Sequence, residues 1–418
     1  MMPIKEIKEL KFSNDFIQDY LDYLEMRINF LLNRFHCFPN FPGVQTGYDS
    51  ITGEEFAKED IYSYSWINGR GICVFSRFSE YFPDYRDKLL DYAAHTIKAM
   101  EEQFVINNNH LPFMAYLDGK EKYSGCECPK GYKSYSDIYA CAGFTEYGFR
   151  TKENKYIKMA KRMFDEIIGV LDSNMFITEP QSTPDDRILE NPWACALDLS
   201  NELLKDFGDK KYLDISAKLI KYLLDRYYLK DLKVYIEYIT PSGKPFLSEK
   251  GELMVDPGHS IEFCSFCLEF ARIAKDYNGY EIICKRIDEI IPNLLIWNIK
   301  NGWNKNYSGI YKTINAKNGL PINNTMSWWI LPETMVAAML AFERTRDYKF
   351  LDYFKDTHNT YFSIYLNSKT DFGPFQNIDG STGQPVDIVP ACKFQDPEFH
   401  SGKNILTVTD IIKRNFNI

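Results

Sequence analysis

The sequence contains no apolar run long enough to span a membrane. Its N-terminus, Met-Met-Pro-Ile-Lys-Glu-Ile-Lys-Glu-Leu-Lys, alternates charge where a secretory leader would need an apolar core. A membrane partner is therefore not expected. Basic residues form no stripe. Lysines sit beside acids, as at Lys152–Glu153 and Lys205–Asp206, and the formal net charge is -9, so nucleic acid is not an expected partner either. The ten cysteines lie mostly inside apolar runs and are too sparse for a disulfide scaffold, which makes a reducing cytoplasm the expected compartment. No phosphate-cradling glycine loop follows a strand. No linker or low-complexity stretch divides the chain, so one domain over residues 1–418 is expected.

What the sequence does have is helical periodicity and enough hydrophobic residues, 45% of the chain, to bury a large core. Apolar residues recur at helical spacing over about 15–38, 69–82, 84–104, 134–150, 153–171, 191–207, 209–228, 258–276, 279–298, 326–346, 347–366 and 406–416. Twelve helices divide into six consecutive hairpins. Some joints are tight, such as Phe207-Gly208-Asp209 and Arg346-Asp347. Others are long and rich in Gly, Pro, Asn and aromatics: 40–65, 105–133, 172–190, 229–257, 299–325 and 367–405. A long loop once per helix pair suits an all-α toroid whose long loops open on one face. Short β-like runs with Gly turns, as in 41–53, 234–243 and 372–380, read as small hairpins at that rim. Aromatics and amides in such loops suit a carbohydrate, whose C–H faces stack on rings and whose hydroxyls take hydrogen bonds.

Only six histidines are available for proton chemistry: His36, His95, His110, His259, His358 and His400. His259 lies in Val255-Asp-Pro-Gly-His-Ser-Ile-Glu262. There Asp256 suits an N-cap and Pro257 the first helical position, so His259 falls in the first turn, with Glu262 at i+3 able to orient its ring. The helix N-terminus disfavours an imidazolium and Glu262 favours it, which would poise the ring near neutrality. An ordinary helix start that happens to contain a histidine is an equal reading. His400, in Phe399-His-Ser-Gly-Lys403, gains meaning only as the second member of a pair. Arg70, flanked by Gly69 and Gly71 at a helix start, could have its guanidinium exposed to neutralise an oxyanion, or could pair with a structural acid such as Glu333. Trp329 and Glu333, one turn apart, could offer a stacking ring and a hydroxyl-binding carboxylate. Cys126/Cys128 and Cys264/Cys267 lack the further ligands a metal site needs, and no metal or cofactor is expected.

Four segments in order, Trp66…Asn68-Gly-Arg70…Phe75-Ser-Arg77, Asp256-Pro-Gly-His259-x-x-Glu262, Trp328-Trp329…Glu333 and Phe399-His400, resemble the N-acylglucosamine 2-epimerase superfamily, which includes cellobiose 2-epimerases and mannose-type aldose–ketose isomerases. The resemblance spans about residues 40–405. It implies an (α/α)6 barrel, a free sugar as substrate, and His259 and His400 as the groups that move the C2 proton. It implies Arg70, Glu262, Trp329 and Glu333 as pocket residues and Asn191, in Glu190-Asn-Pro-Trp193, as a substrate-binding amide; Trp66 belongs to the same set. Two departures stand out. Cys195 occupies a place where members acting on neutral sugars carry a histidine, and Lys393-Phe-Gln-Asp-Pro-Glu398 replaces a stretch that usually holds a tryptophan. Cys195 is expected to line the pocket. A glycoside or unsaturated-glucuronyl hydrolase on the same toroid is an alternative, with Asp49, Asp137, Glu146, Glu262 and Glu333 as available acids. A non-catalytic sugar-binding protein is another. Homodimerisation is left open.

Overall fold

In a computed structural model, the apolar periodicity resolves into two concentric rings of helices. The structure describes all residues except 1–3, 5, 127, 172, 174, 389–391 and 417. The charged N-terminal run and the segment between Cys126 and Cys128 therefore lie partly outside the described residues. The helices are α1 (Asn14–Cys37), α2 (Ser65–Tyr81), α3 (Arg86–Ile106), α4 (Tyr135–Thr151), α5 (Asn154–Leu171), α6 (Asn191–Phe207), α7 (Lys210–Arg226), α8 (Pro257–Ala274), α9 (Glu281–Gly302), α10 (Ile330–Thr345), α11 (Lys349–Thr360) and α12 (Gly402–Phe416).

The even-numbered helices pack side by side in a closed inner ring, and the odd-numbered helices back them. Composition explains the division. An outer helix such as α5 buries a single stripe, Ala160, Met163, Phe164, Ile167 and Leu171. The inner α10 is buried at every position from Ile330 to Phe342, with Ala337, Ala338 and Ala341 letting its neighbours approach. Between α2 and α4 the approach is closer still. A Cβ on Gly69 would lie 2.4 Å from the backbone carbon of Tyr139. The result is an (α/α)6 barrel.

The hairpins are phased differently from the consecutive pairing expected. Tight joints, with Gly208 and Arg346 in the left-handed region at φ of 66° and 57°, join an even helix to the next odd one. Five hairpins are therefore consecutive, and the sixth forms when α12 packs on α1. The first and last of these helices are thus neighbours, α1 backing α12 from outside while α12 meets α2 in the inner ring.

Two helix starts also differ from the sequence reading. Gly69 and Gly71 do not delay α2, which begins at Ser65, so Arg70 sits in its second turn. Residues 326–329 are not helical. Pro321–Ser327 is a strand in a rim sheet formed by β1 (Met254–Val255), β2 (Tyr311–Asn315), β3 (Pro321–Ser327) and β4 (Asn377–Asp379), in the order β4-β3-β2-β1 with all neighbours antiparallel. The β2–β3 turn closes where the Gly319 N–H donates to the Asn315 carbonyl at 2.8 Å. Among the described residues, no helix is long and apolar enough to cross a membrane.

Gly69→Ala should destabilise the protein by about 1–3 kcal/mol, because the clashing atoms are backbone and cannot swing aside. Chemical denaturation checks this. An unchanged midpoint would mean that α2 and α4 separate without loss.

Candidate active site

All six inner helices bring their N-terminal ends to one cavity of about 390 Å³. Each contributes from its opening turns or the residue before them. Trp66 and Arg70 come from α2, Tyr135 and Tyr139 from α4, Asn191 and Cys195 from α6, His259 and Glu262 from α8. Trp328 and Trp329 precede α10, and His400 precedes α12. Spacings of three or four residues put each helical pair on one face. The partial positive charge of helix N-termini favours an anion in such a place. Loop residues Thr178–Pro184, Lys312 from β2, and Leu189 and Tyr238 complete the wall.

The two histidines have matching geometry and opposite electrostatics. The Asp256 side chain accepts from the N–H groups of Gly258 and His259 at 2.9 and 3.3 Å, the expected N-cap. Gly258 is needed because a Cβ there would meet the Trp329 ring at 2.5 Å. His259 Nδ1 donates to Glu237 at 2.9 Å, with Asp256 and Glu190 at 3.5 and 3.8 Å. Glu262 is not its partner, contrary to the i+3 expectation. Glu262 instead lies 3.8 Å from His400 Nδ1, which shares a 2.8 Å hydrogen bond with Glu333. Both rings pack on Trp329, with centroids 5.6 and 5.5 Å away.

Burial opposes the charged form of His259, yet Asp256 and Glu237 outweigh it and Lys312 and push the ring up to about 9. His259 is thus a cation at neutral pH, where the sequence suggested a ring near its midpoint. Burial and the charges of Arg70 and Lys403 push His400 down to about 3 against Asp396. Burial likewise raises Glu333 to about 7. Glu333 is the partner of His400 and not a free hydroxyl binder. Among the described residues, neither imidazole Nε2 has a protein hydrogen-bond partner.

Arg70 does not pair with Glu333. Its Nη1 donates to Asp396 at 3.2 Å and its Nη2 to the Tyr139 hydroxyl at 2.7 Å, while Nε has no protein partner. The guanidinium is buried, packed 4.2 Å from the Tyr139 ring centroid. The flanking glycines serve helix contact and do not expose it: a Cβ on Gly71 would meet Val44 at 2.4 Å. Asn191 accepts from Tyr135 at 2.7 Å and from the Cys195 thiol at 3.4 Å, so its remaining capacity is to donate. Cys195 lines the cavity as expected.

The other histidines lie elsewhere. His95 bonds the Phe41 carbonyl at 2.9 Å, His358 is buried against the Tyr20 hydroxyl at 2.7 Å, His110 stands 3.6 Å from Glu121, and His36 is exposed near the end of α1. Asp49 caps a loop turn, Asp137 closes the capping box of α4, and Glu146 pairs with Arg77 below the cavity. Cys264 and Cys267 are buried core thiols. Sequence reasoning missed Glu237, Glu190, Tyr139, Asp396 and Lys312. One signal was available, a lone acid inside the apolar run Tyr235-Ile-Glu-Tyr-Ile239.

Among the described residues, three side-chain groups could each offer a cation three ligand atoms: Glu190/Glu237/His259, Glu262/Glu333/His400 and Glu146/Glu202/Asp206. In the first two, an imidazole Nδ1 already occupies a carboxylate. In the third, Arg77, Arg150 and Lys205 supply the positive charge.

The sequence profile of the family described as N-acylglucosamine 2-epimerase (GlcNAc 2-epimerase) matches residues 56–395. The chain belongs to this family. It is thereby placed among carbohydrate epimerases and isomerases. The match stops short of His400, which the fold brings into the cavity. The N-acylglucosamine 2-epimerase of Rattus norvegicus is 22% identical over 329 residues, covering 74% of this chain and 72% of the relative. Among solved structures, the cellobiose 2-epimerase from Bacillus thermoamylovorans B4167 superposes with a TM-score of 0.74 at 17% identity, over 95% of this chain and 100% of that one. A D-mannose isomerase gives a TM-score of 0.74 at 12% identity, over 96% and 100%.

Burial, with Glu262 and Glu190 nearby, raises the Cys195 thiol well above its ordinary range. Iodoacetamide at pH 8 should therefore alkylate the exposed Cys37 first and Cys195 much more slowly. Peptide mass spectrometry checks the order. Equal rates at the two sites would mean that the cavity thiol is not held neutral.

Proposed function

We propose that residues 1–418 act as one catalytic unit that moves the C2 proton of an open-chain aldose through a cis-enediolate, with His400 as base and His259 as acid. The observation that carries this reading is the pair of imidazoles in one cavity, each tied through Nδ1 to a buried carboxylate and held in opposite charge states. Neutral His400, its Nδ1–H committed to Glu333, has a lone pair on Nε2 for the C2 proton. Cationic His259 has an Nε2–H to give. Beside its buried Nε, Arg70 retains one N–H on each Nη without a protein acceptor, enough to bind the enediolate oxygens where their charge develops. Protonation on the opposite face of C2 gives the epimer, and protonation of C1, with the O2 proton passing to O1, gives the ketose. In the reverse direction the two histidines exchange roles.

The carboxylates support this reading over glycoside hydrolysis. Glu237 and Glu333 are engaged by imidazoles, and Glu262 is pushed well above the usual carboxylate range by burial and Glu333, so none of these three stands as a free carboxylate nucleophile. As to substrate, Asn191 offers only N–H groups, and the Cys195 thiol is smaller than a ring and a weak donor. That combination favours a sugar with a bulkier, acceptor-bearing substituent such as an N-acyl group.

Incubation of N-acetylglucosamine, cellobiose and D-mannose in deuterated water should place deuterium at C2 with at least one of them. His259→Ala and His400→Ala should each reduce this turnover by about 10²–10⁴-fold. Near-wild-type turnover in both variants would sink the mechanism, and release of a reducing end from a glycoside would favour the hydrolase.

The charge on His259 also sets a pH limit. A group that must be protonated loses activity as pH rises through its pKa, so kcat/KM should fall above about pH 9. Glu237 helps to hold that proton, and Glu237→Gln should move the alkaline limb to lower pH. A limb that stays in place would assign it to another group.

A further inference from the structure

We propose that Asp396 is a positioning residue that fixes Arg70 and His400 relative to one another, so that oxyanion binding and proton transfer act on a single substrate pose. This rests on the roles given above to those two residues. One carboxylate serves both. Asp396 Oδ1 accepts from Arg70 Nη1 at 3.2 Å, and Oδ2 accepts from the His400 backbone N–H at 3.1 Å. Its side chain is 4% exposed. The two groups it joins come from opposite ends of the chain, one from α2 and the other from the residues before α12. No short-range element links them.

The surrounding segment is built to hold this carboxylate still. The Phe394 ring packs against Tyr64 and Phe41, with centroids 5.2 and 5.9 Å away. Gln395 is locked on four sides. Its N–H donates to the Thr46 carbonyl at 3.0 Å, and its carbonyl accepts from the Thr46 hydroxyl at 2.7 Å. Its amide donates to the Tyr48 carbonyl at 2.9 Å and accepts from Gln376 at 2.8 Å. Glu398 accepts from Arg27 at 2.7 Å and from the Ser401 hydroxyl at 2.7 Å. Gln395 and Glu398 thus spend their hydrogen bonds on the barrel wall. Asp396, between them, spends both oxygens on the site. Arg70 is held from the other side by Tyr139, so Asp396 decides which of its N–H groups stay available to substrate.

An asparagine at 396 keeps the shape but has one acceptor oxygen and one donor nitrogen, and so can satisfy only one of the two contacts. With whichever of N-acetylglucosamine, cellobiose or D-mannose turns over fastest, Asp396→Asn should lower kcat by on the order of 10- to 100-fold. KM should stay within about threefold, because the loss falls on transition-state geometry and not on ground-state binding. Asp396→Glu, which retains both oxygens, should recover part of kcat. In a double-mutant cycle, Arg70→Lys combined with Asp396→Asn should cost roughly tenfold less than the product of the single losses. A kcat within twofold of wild type in Asp396→Asn, or losses that multiply, would overturn the proposal. Full turnover in both His259→Ala and His400→Ala would instead undo the reading on which it rests.

Discussion

Closure of the inner ring constrains everything else in this protein. Six helices run with their N-termini at one end, and the small residues between them, Gly69 against Tyr139 and the alanines of α10, set how closely they approach. That approach fixes the diameter of the cavity and determines which side chains can reach across it. Because each inner helix contributes only its opening turns, the site is assembled from segments far apart in sequence. Its precision depends on packing below it, where substitutions are tolerated least.

Within that frame the chemistry turns on how two similar residues are made different. His259 and His400 each hydrogen-bond a buried glutamate through Nδ1, and local hydrogen bonding alone would make them alike. The wider surroundings separate them. Asp256 and Glu237 stand against His259, whereas Arg70 and Lys403 stand against His400. A cationic and a neutral imidazole thus coexist at one pH, the combination that the proton transfer proposed above calls for. Departures from the family pattern lie around this pair and not in it. Cys195 lines the side wall, and Gln395 and Asp396 form a hydrogen-bonded strap.

Much of the fold was legible in the sequence. The helices were visible because amphipathic periodicity is a local signal, and the N-cap at Asp256 because its spacing to His259 is local too. The rim strands at 311–327 were not. Their pairing with Met254–Val255 and Asn377–Asp379 is long-range, and the polar run Asn323-Asn-Thr325 carries no helical or strand period of its own. The phase of the hairpins was hidden for a similar reason. Either pairing satisfies twelve periodic segments, and only ring closure makes α1 the partner of α12.

The site divides along the same line. Motif spacing raised Arg70, His259, Glu262, Trp329 and Glu333 as candidates, while Asn191, Cys195 and the pairing of His400 with His259 came from the family resemblance. Which of them touch was decided in three dimensions. Glu262 faces His400 and not His259, Glu333 is bound by His400, Arg70 belongs to Asp396 and Tyr139, and Glu237 arrives from a rim turn to hold His259. Spacing along one helix tells which side chains share a face. It cannot tell what faces them from the other five, and here the charge state of each histidine depends on groups that other elements bring to it.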